Sequence, residues 1–157
     1  MRRNRIDTVI DIICLIIFVV SVFTVALVYR SLPQQIPSHF DFRGNIDGYS
    51  SKGSVWIMPA VMLFTLLLFF FCERDPKATK NINGFTGKTK TLSARGQRYN
   101  MYLLKSVKLI IMVMFFTILL FVIHLHPMPW YLTVIEVVLI TGDIIFWMSK
   151  IGWNNLV

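Results

Sequence analysis

The stretch LPQQIPSHFDFRGNIDGYSSK, from Leu32 to Lys52, is a dense run of polar, glycine and proline residues between two apolar blocks. Apolar blocks occupy residues 12–28, 55–72, 109–123 and 130–148 of this 157-residue chain. A helix needs about 20 mostly apolar residues to cross a bilayer core of roughly 30 Å, and each block with its flanks approaches that length. The sequence therefore predicts an all-α integral membrane protein, a single domain over residues 1–157. The four transmembrane helices are expected near residues 8–29, 54–73, 104–125 and 130–149, with an ordered loop at 30–53.

The basic residues are distributed unevenly along the chain. Only Arg30, Arg43 and Lys52, of sixteen lysines and arginines, lie in the loop 30–53. Because cytoplasmic segments carry the excess of basic residues, both termini and a basic loop at 74–103 are expected in the cytoplasm, and the loop 30–53 outside the cell membrane. Attraction to anionic lipid explains the basic balance, so the expected partner is the lipid bilayer and not nucleic acid.

The first apolar block has two interpretations, since arginines precede it as they precede a signal peptide. Its apolar run is longer than that of a typical signal peptide, and no small-residue cleavage site follows it. A retained signal anchor is the preferred interpretation.

The composition of the loop 30–53 predicts an ordered structure. Pro33 and Pro37 disfavour helix before them. Apolar and polar residues alternate over 38–42, which favours a short extended segment at the lipid surface. Residues that tolerate turn conformations follow: Gly44, Asn45, Asp47 and Gly48.

Three side chains of the loop have the chemistry of metal ligands. His39, Asp41 and Asp47 could together bind a divalent cation. The alternative is that His39 and Asp41 hydrogen-bond within the loop while Asp47 pairs with Arg43 or Lys52. The alternative is preferred because a fourth ligand is not evident, so neither a metal nor another cofactor is predicted.

Charged residues also fall inside the apolar blocks. Glu136 and Asp143 are seven residues apart and therefore share one face of the fourth helix. Inserting an acidic group near the middle of a membrane-crossing helix costs about 2.5–3.5 kcal/mol, so each side chain should face protein or water and not lipid. Asp11 lies near the inner end of the first helix, and Lys108 would lie near the depth of Asp143 if the last two helices are antiparallel. This set predicts either a proton or cation path or a structural polar seam.

Ahead of the third block, Leu92, Tyr99, Tyr102 and Leu103 are spaced as in an amphipathic segment. It is expected to lie on the inner leaflet as a lead-in to the third helix, with Arg95, Arg98 and Lys105 towards the headgroups.

The loop also carries an extended motif, P-x-H-F-x-x-x-G-x-x-D-G-[YW]-x-S-K. Its residues here are Pro37, His39, Phe40, Gly44, Asp47, Gly48, Tyr49, Ser51 and Lys52, introduced by Leu32, Pro33 and Ile36. This pattern resembles the bacterial membrane family called domain of unknown function 1648, which is also the N-terminal module of SdpI-type immunity proteins. The resemblance implies a membrane protein of Gram-positive type bacteria. Repressor retention, which the larger immunity proteins perform, is not implied, because the C-terminal SdpI module is not recognisable here.

These observations favour a non-catalytic protein, since no nucleophile–base pair and no complete metal site is recognisable. The hypothesis is that the loop recognises a peptide or membrane-protein partner, as an immunity or sensing protein would. The alternative is a small proton- or cation-coupled transporter, or an accessory subunit of a transport complex. The expected binding residues are Pro37, His39, Phe40, Asp41, Gly44, Asp47, Gly48, Tyr49 and Lys52.

Overall fold

The computed structural model of the protein describes residues 4–75, 81–83 and 89–151. Its long helices are α1 (Arg5–Val28), α2 (Ile57–Arg74), α3 (Ala94–His124) and α4 (Trp130–Ile151). A 3-10 segment, Lys52–Trp56, leads into α2. The four helices are each long and apolar enough to cross a membrane. The predicted multi-pass, all-helical membrane architecture is therefore confirmed.

The loop between α1 and α2 forms an antiparallel β-hairpin. Strand β1 (Gln35–Phe40) pairs with β2 (Ile46–Ser51), and the register is irregular between Pro37 and Phe40. Phe42 lies beyond β1, so the extended segment begins and ends earlier than residues 38–42. Two further short strands, β3 (Asn81–Asn83) and β4 (Thr89–Thr91), pair between α2 and α3. Residues 76–80 and 84–88 of the predicted basic loop 74–103 lie outside the described part of the chain.

Helix α1 begins at Arg5 because Asn4 and Asp7 form a capping box. The Asn4 side chain accepts a hydrogen bond from the Arg5 amide at 2.7 Å, and the Asp7 carboxylate accepts one from the Asn4 amide at 2.8 Å. These bonds satisfy amides that have no partner within the helix. The helix consequently starts ahead of the predicted residue 8.

The inward side of α1 is a narrow stripe. Asp7, Cys14 and Ser21 are buried at intervals of seven residues, which keeps them on one helix face. Cys14 packs with Met62 of α2 and Met112 of α3 in the middle of the bundle. Large apolar side chains cover the rest of α1 and are exposed, as expected for a surface in contact with lipid.

Helix α3 is longer than predicted because the lead-in is part of it. Ser93 caps its start by accepting a hydrogen bond from the Gly96 amide at 3.2 Å, and the helix continues for 31 residues. It ends at His124, after which Leu125 has a left-handed backbone with φ 58°. Helix α4 follows after a short turn and packs mainly on α3.

Candidate functional site

The tip of the β1–β2 hairpin is a turn organised by one carboxylate. Asp41 accepts hydrogen bonds from the Arg43 and Asn45 amides, both at 2.8 Å, and from the Asn45 side chain at 3.0 Å. The side-chain hydrogen bond from Asn45 is the largest of the effects that lower the pKa of Asp41 below its ordinary value. Asp41 thus carries a negative charge at neutral pH, and this carboxylate accepts hydrogen bonds from the residues of its own turn.

Gly44 ties this turn to the connection between α3 and α4. The Met128 amide donates a hydrogen bond to the Gly44 carbonyl at 2.9 Å. Gly44 has φ +84°, and a Cβ atom there would lie 1.5 Å from the Met128 carbonyl oxygen. Only glycine combines this backbone with this close approach. Gly48 does not have a positive φ, but a Cβ there would lie 2.9 Å from the His39 Cβ.

His39 and Asp47 pair across the hairpin. The His39 Nδ1 atom and the Asp47 Oδ1 atom are 2.5 Å apart, and both side chains are well exposed. The expectation that Asp47 pairs with Arg43 or Lys52 is therefore wrong, while the hydrogen-bonding of His39 and Asp41 within the loop is observed. The ammonium of Lys52 lies 5.2 Å from the centre of the Tyr29 ring. Across the described ranges, no three His, Cys, Asp or Glu side chains converge to hold a metal.

The base of the hairpin is part of the core. Ile36 is fully buried with Val25, Leu32, Val55 and Leu119. Pro37 is also buried and Phe40 packs partly against this cluster, whereas Phe42 and Tyr49 are exposed. The hairpin is therefore fixed at its base by apolar burial and at its tip by the Met128 contact.

A groove of about 430 Å³ lies beside β1, and we call it the hairpin groove. Its walls come from β1 and the turn after it, the 3-10 segment, the start of α2, the end of α3, the α3–α4 connection and the first residues of α4. The lining residues are Ile36, Pro37, Ser38, His39, Phe40, Asp41, Phe42, Ser54, Val55, Ile57, Met58, Ile118, Val122, Met128 and Thr133. No residue of β2 is among them, so β1 is the strand of the hairpin that borders the groove.

The other end of the bundle contains a buried charge cluster. Lys105 of α3 donates to Asp11 of α1 at 2.5 Å and to Glu73 of α2, and Lys108 donates to the same two carboxylates at 2.6 and 2.7 Å. Lys105 is 1% exposed and Lys108 is 4% exposed. Two cations and two anions thus join three helices with no net charge.

Lys108 lies near the depth of Asp143, as predicted, because Ser106 of α3 contacts Asp143, but the two charged groups do not pair. Lys108 contacts Asp11 and Glu73 and not Asp143, whose carboxylate instead accepts hydrogen bonds from Ser106 at 2.7 Å and Trp147 at 3.0 Å. Glu136 is half-buried on the same face of α4 as Asp143.

Arg98 and Lys105 also differ from expectation, because neither side chain simply faces headgroups. Arg98 pairs with the buried Asp7 at 3.3 Å, and Lys105 is enclosed by the bundle.

Sequence reasoning missed Glu73 and Lys105 as members of this cluster. Glu73 follows the end of an apolar block, where charged residues are common, so its position alone does not indicate a buried ion pair. A signal was present in the spacing, because Lys105 and Lys108 are three residues apart and share a helix face. On α1, the spacing of Asp7, Asp11 and the buried Cys14 likewise places them on one helix face. That face is therefore polar at its N-terminal end.

Residues 16–63 match the family model described as Domain of unknown function (DUF1648). The matched segment runs from α1 through the hairpin into α2, so the resemblance seen in the loop motif is confirmed. No curated protein and no solved structure matches the chain.

Proposed function

We propose that this membrane protein, which carries the domain of unknown function 1648 across its first two helices, recognises a peptide or membrane-protein partner at the hairpin groove. It does so without catalysing a reaction, as an immunity or sensing protein does. The observation that carries the proposal is that the hairpin is held at both base and tip. A strand fixed in this way over the helix ends keeps one wall of the groove in place before any partner arrives, which reduces the entropy cost of binding.

The size and lining of the groove support this role. Small-ligand sites are commonly about 300–1,000 Å³, mostly apolar, with a few polar groups that fix orientation. Here the apolar wall includes Val55, Met58 and Val122, while His39 and Ser54 supply polar atoms. A groove of this kind suits one or two apolar side chains of a larger partner.

The proposal includes an orientation, with the hairpin outside the cell membrane and both termini in the cytoplasm. The distribution of basic residues supports it, because Arg74, Arg95 and Lys150 lie at the end of the bundle opposite the hairpin. Labelling an Asn45→Cys variant in intact cells with a membrane-impermeant maleimide tests this, and Asp75→Cys is the control at the opposite end. If only the Asp75→Cys variant were labelled, the protein would have the opposite orientation in the membrane.

Recognition is tested by producing the protein in bacteria sensitive to a panel of membrane-active killing peptides. We expect higher survival with at least one peptide, and we expect that peptide to cross-link to a photoreactive residue placed at Thr133 in the groove. The matched control position is Val137, one turn further along α4, exposed and outside the groove. Unchanged survival across the panel, with equal cross-linking at both positions, would contradict the proposal.

The second candidate, a small proton- or cation-coupled transporter or an accessory subunit, is favoured by one observation. Glu136 and Asp143 lie on the face of α4 that packs on α3, where a polar path could run. The double variant Glu136→Gln with Asp143→Asn should then abolish ion flux in proteoliposomes while the protein stays folded. Flux equal to that of the unmodified protein would remove this candidate.

A further inference from the structure

We infer that Glu136 of α4 is the docking point for a transmembrane helix of another protein, one that carries a lysine or an arginine at the same membrane depth. This interface is separate from the hairpin groove, because Glu136 is not among the residues that line the groove. The observation that carries the inference is a carboxyl group inside the membrane to which the described part of the chain offers no partner.

Glu136 lies well inside the membrane-crossing part of α4. It is the seventh residue of the helix Trp130–Ile151, so it lies about 9 Å along the axis from Trp130 at 1.5 Å per residue. Water is scarce at that depth, and a polar group there is stable only when it contacts another polar group. An ionisable residue inside a membrane therefore indicates a functional contact, and the complement of a carboxyl group is a cation or another hydrogen-bond donor.

Asp143, on the same face of α4, shows how this chain satisfies an intramembrane carboxylate. Its oxygen atoms accept hydrogen bonds from the Ser106 hydroxyl at 2.7 Å and from the Trp147 indole at 3.0 Å. Within the ranges that the structure describes, the Glu136 carboxyl group forms neither a hydrogen bond nor an ion pair. The two acidic residues of α4 therefore differ, since one is satisfied by the chain itself and the other is available to a partner.

The surface around Glu136 is open to a neighbouring helix. Because α3 and α4 are antiparallel and Ser106 contacts Asp143, Val113 and Glu136 lie at one depth, each seven residues nearer the hairpin. Val113 shares the helix face of Ser106, yet it is 46% exposed. Helix α4 packs chiefly on α3, and Ile151 is the residue of α4 that is buried. A cleft between α3 and α4 thus leaves Glu136 within reach from the membrane.

Charge complementarity favours another protein over a second copy of this chain as the occupant. Lys105 and Lys108 lie within α3, but they are 1% and 4% exposed and already bind two carboxylates. The exposed basic residues of the described ranges lie outside the helices or at their ends, away from the depth of Glu136. A second copy therefore offers no suitable cation, whereas a foreign helix with one embedded lysine or arginine satisfies the site.

The test measures the binding of synthetic transmembrane peptides to the full chain in phosphatidylcholine vesicles. The probe is a leucine–alanine helix with one lysine at the depth of Glu136 and a dansyl group that accepts energy from the tryptophans of the protein. Its counterpart carries leucine in place of the lysine. We expect the lysine peptide to bind about five- to thirtyfold more tightly, the range of polar contacts between model membrane helices. Glu136→Gln should remove this preference.

Thr141→Val is the matched control, because Thr141 is exposed on another face of α4 and its hydroxyl donates to the Val137 carbonyl. It should leave the preference unchanged, while Val113→Trp, which fills the cleft, should weaken binding of the lysine peptide. Equal binding of both peptides to the unmodified protein, or a preference that survives Glu136→Gln, would overturn the inference. Cross-linking of the protein to itself that Glu136→Gln abolishes would also overturn it, because the occupant would then be a second copy.

Discussion

Lys105→Met should lower the free energy of unfolding by about 3–5 kcal/mol, the cost of removing one partner from a buried ion pair. Lys105 is 1% exposed and donates to both Asp11 and Glu73, so its loss leaves two partly buried carboxylates with the single cation of Lys108. Because these contacts join α1, α2 and α3, we expect the packing of the three helices to loosen together. Unfolding by sodium dodecyl sulfate titration in mixed micelles measures the change.

The matched control is Lys150→Met, which removes an exposed lysine from the end of α4 and should change stability little. Replacing Asp11, Glu73, Lys105 and Lys108 together by leucine or methionine should cost less than Lys105→Met alone, because no unpaired charge remains. Equal stability of Lys105→Met and Lys150→Met would show that the cluster does not hold the helices together.

Gly44→Ala should release the hairpin from the α3–α4 connection while leaving membrane insertion intact. A left-handed backbone at a non-glycine residue costs roughly 1–2 kcal/mol, and the new Cβ would also lie 1.5 Å from the Met128 carbonyl oxygen. The clash is with backbone atoms of Met128, which cannot move away by changing rotamer as a side chain can. The turn must therefore move, and the groove loses the fixed position of β1.

Limited trypsin digestion reports the release, since Arg43 and Lys52 lie in and beside the hairpin. We expect the unmodified hairpin to resist cleavage there and Gly44→Ala to be cut rapidly. Gly53→Ala is the matched control, because a Cβ at Gly53 would come no closer than 3.9 Å to the Ser51 hydroxyl. An unmodified hairpin cut as fast as an unstructured peptide would mean that the tip contact does not order it.

The helices were predictable because bilayer crossing demands long apolar runs, whatever their neighbours. The turn at Gly44 was predictable in kind, since glycine next to asparagine favours a chain reversal. That the reversal belongs to a two-stranded hairpin resting on Met128 was not predictable, because the contact joins distant parts of the chain. The same limit applies to Lys105, whose partners stand on two other helices. The sequence around Lys105 is equally typical of the basic residues that flank a membrane-crossing helix. Only the packing of α1 and α2 against α3 shows that Lys105 is enclosed in an ion-pair cluster.

The contact between Gly44 and Met128 also shows that the segment matched by the family model does not form the hairpin groove alone. Residues 16–63 supply β1 and the start of α2, but Ile118, Val122, Met128 and Thr133 complete the groove from outside that segment. Grafting the matched segment onto another helical scaffold would transplant one wall of the groove and leave the other wall, and the anchor of the tip, behind. A chimera that joins residues 16–63 to another helical scaffold should therefore lose the hairpin groove, and with it the binding proposed above, even with every motif residue in place.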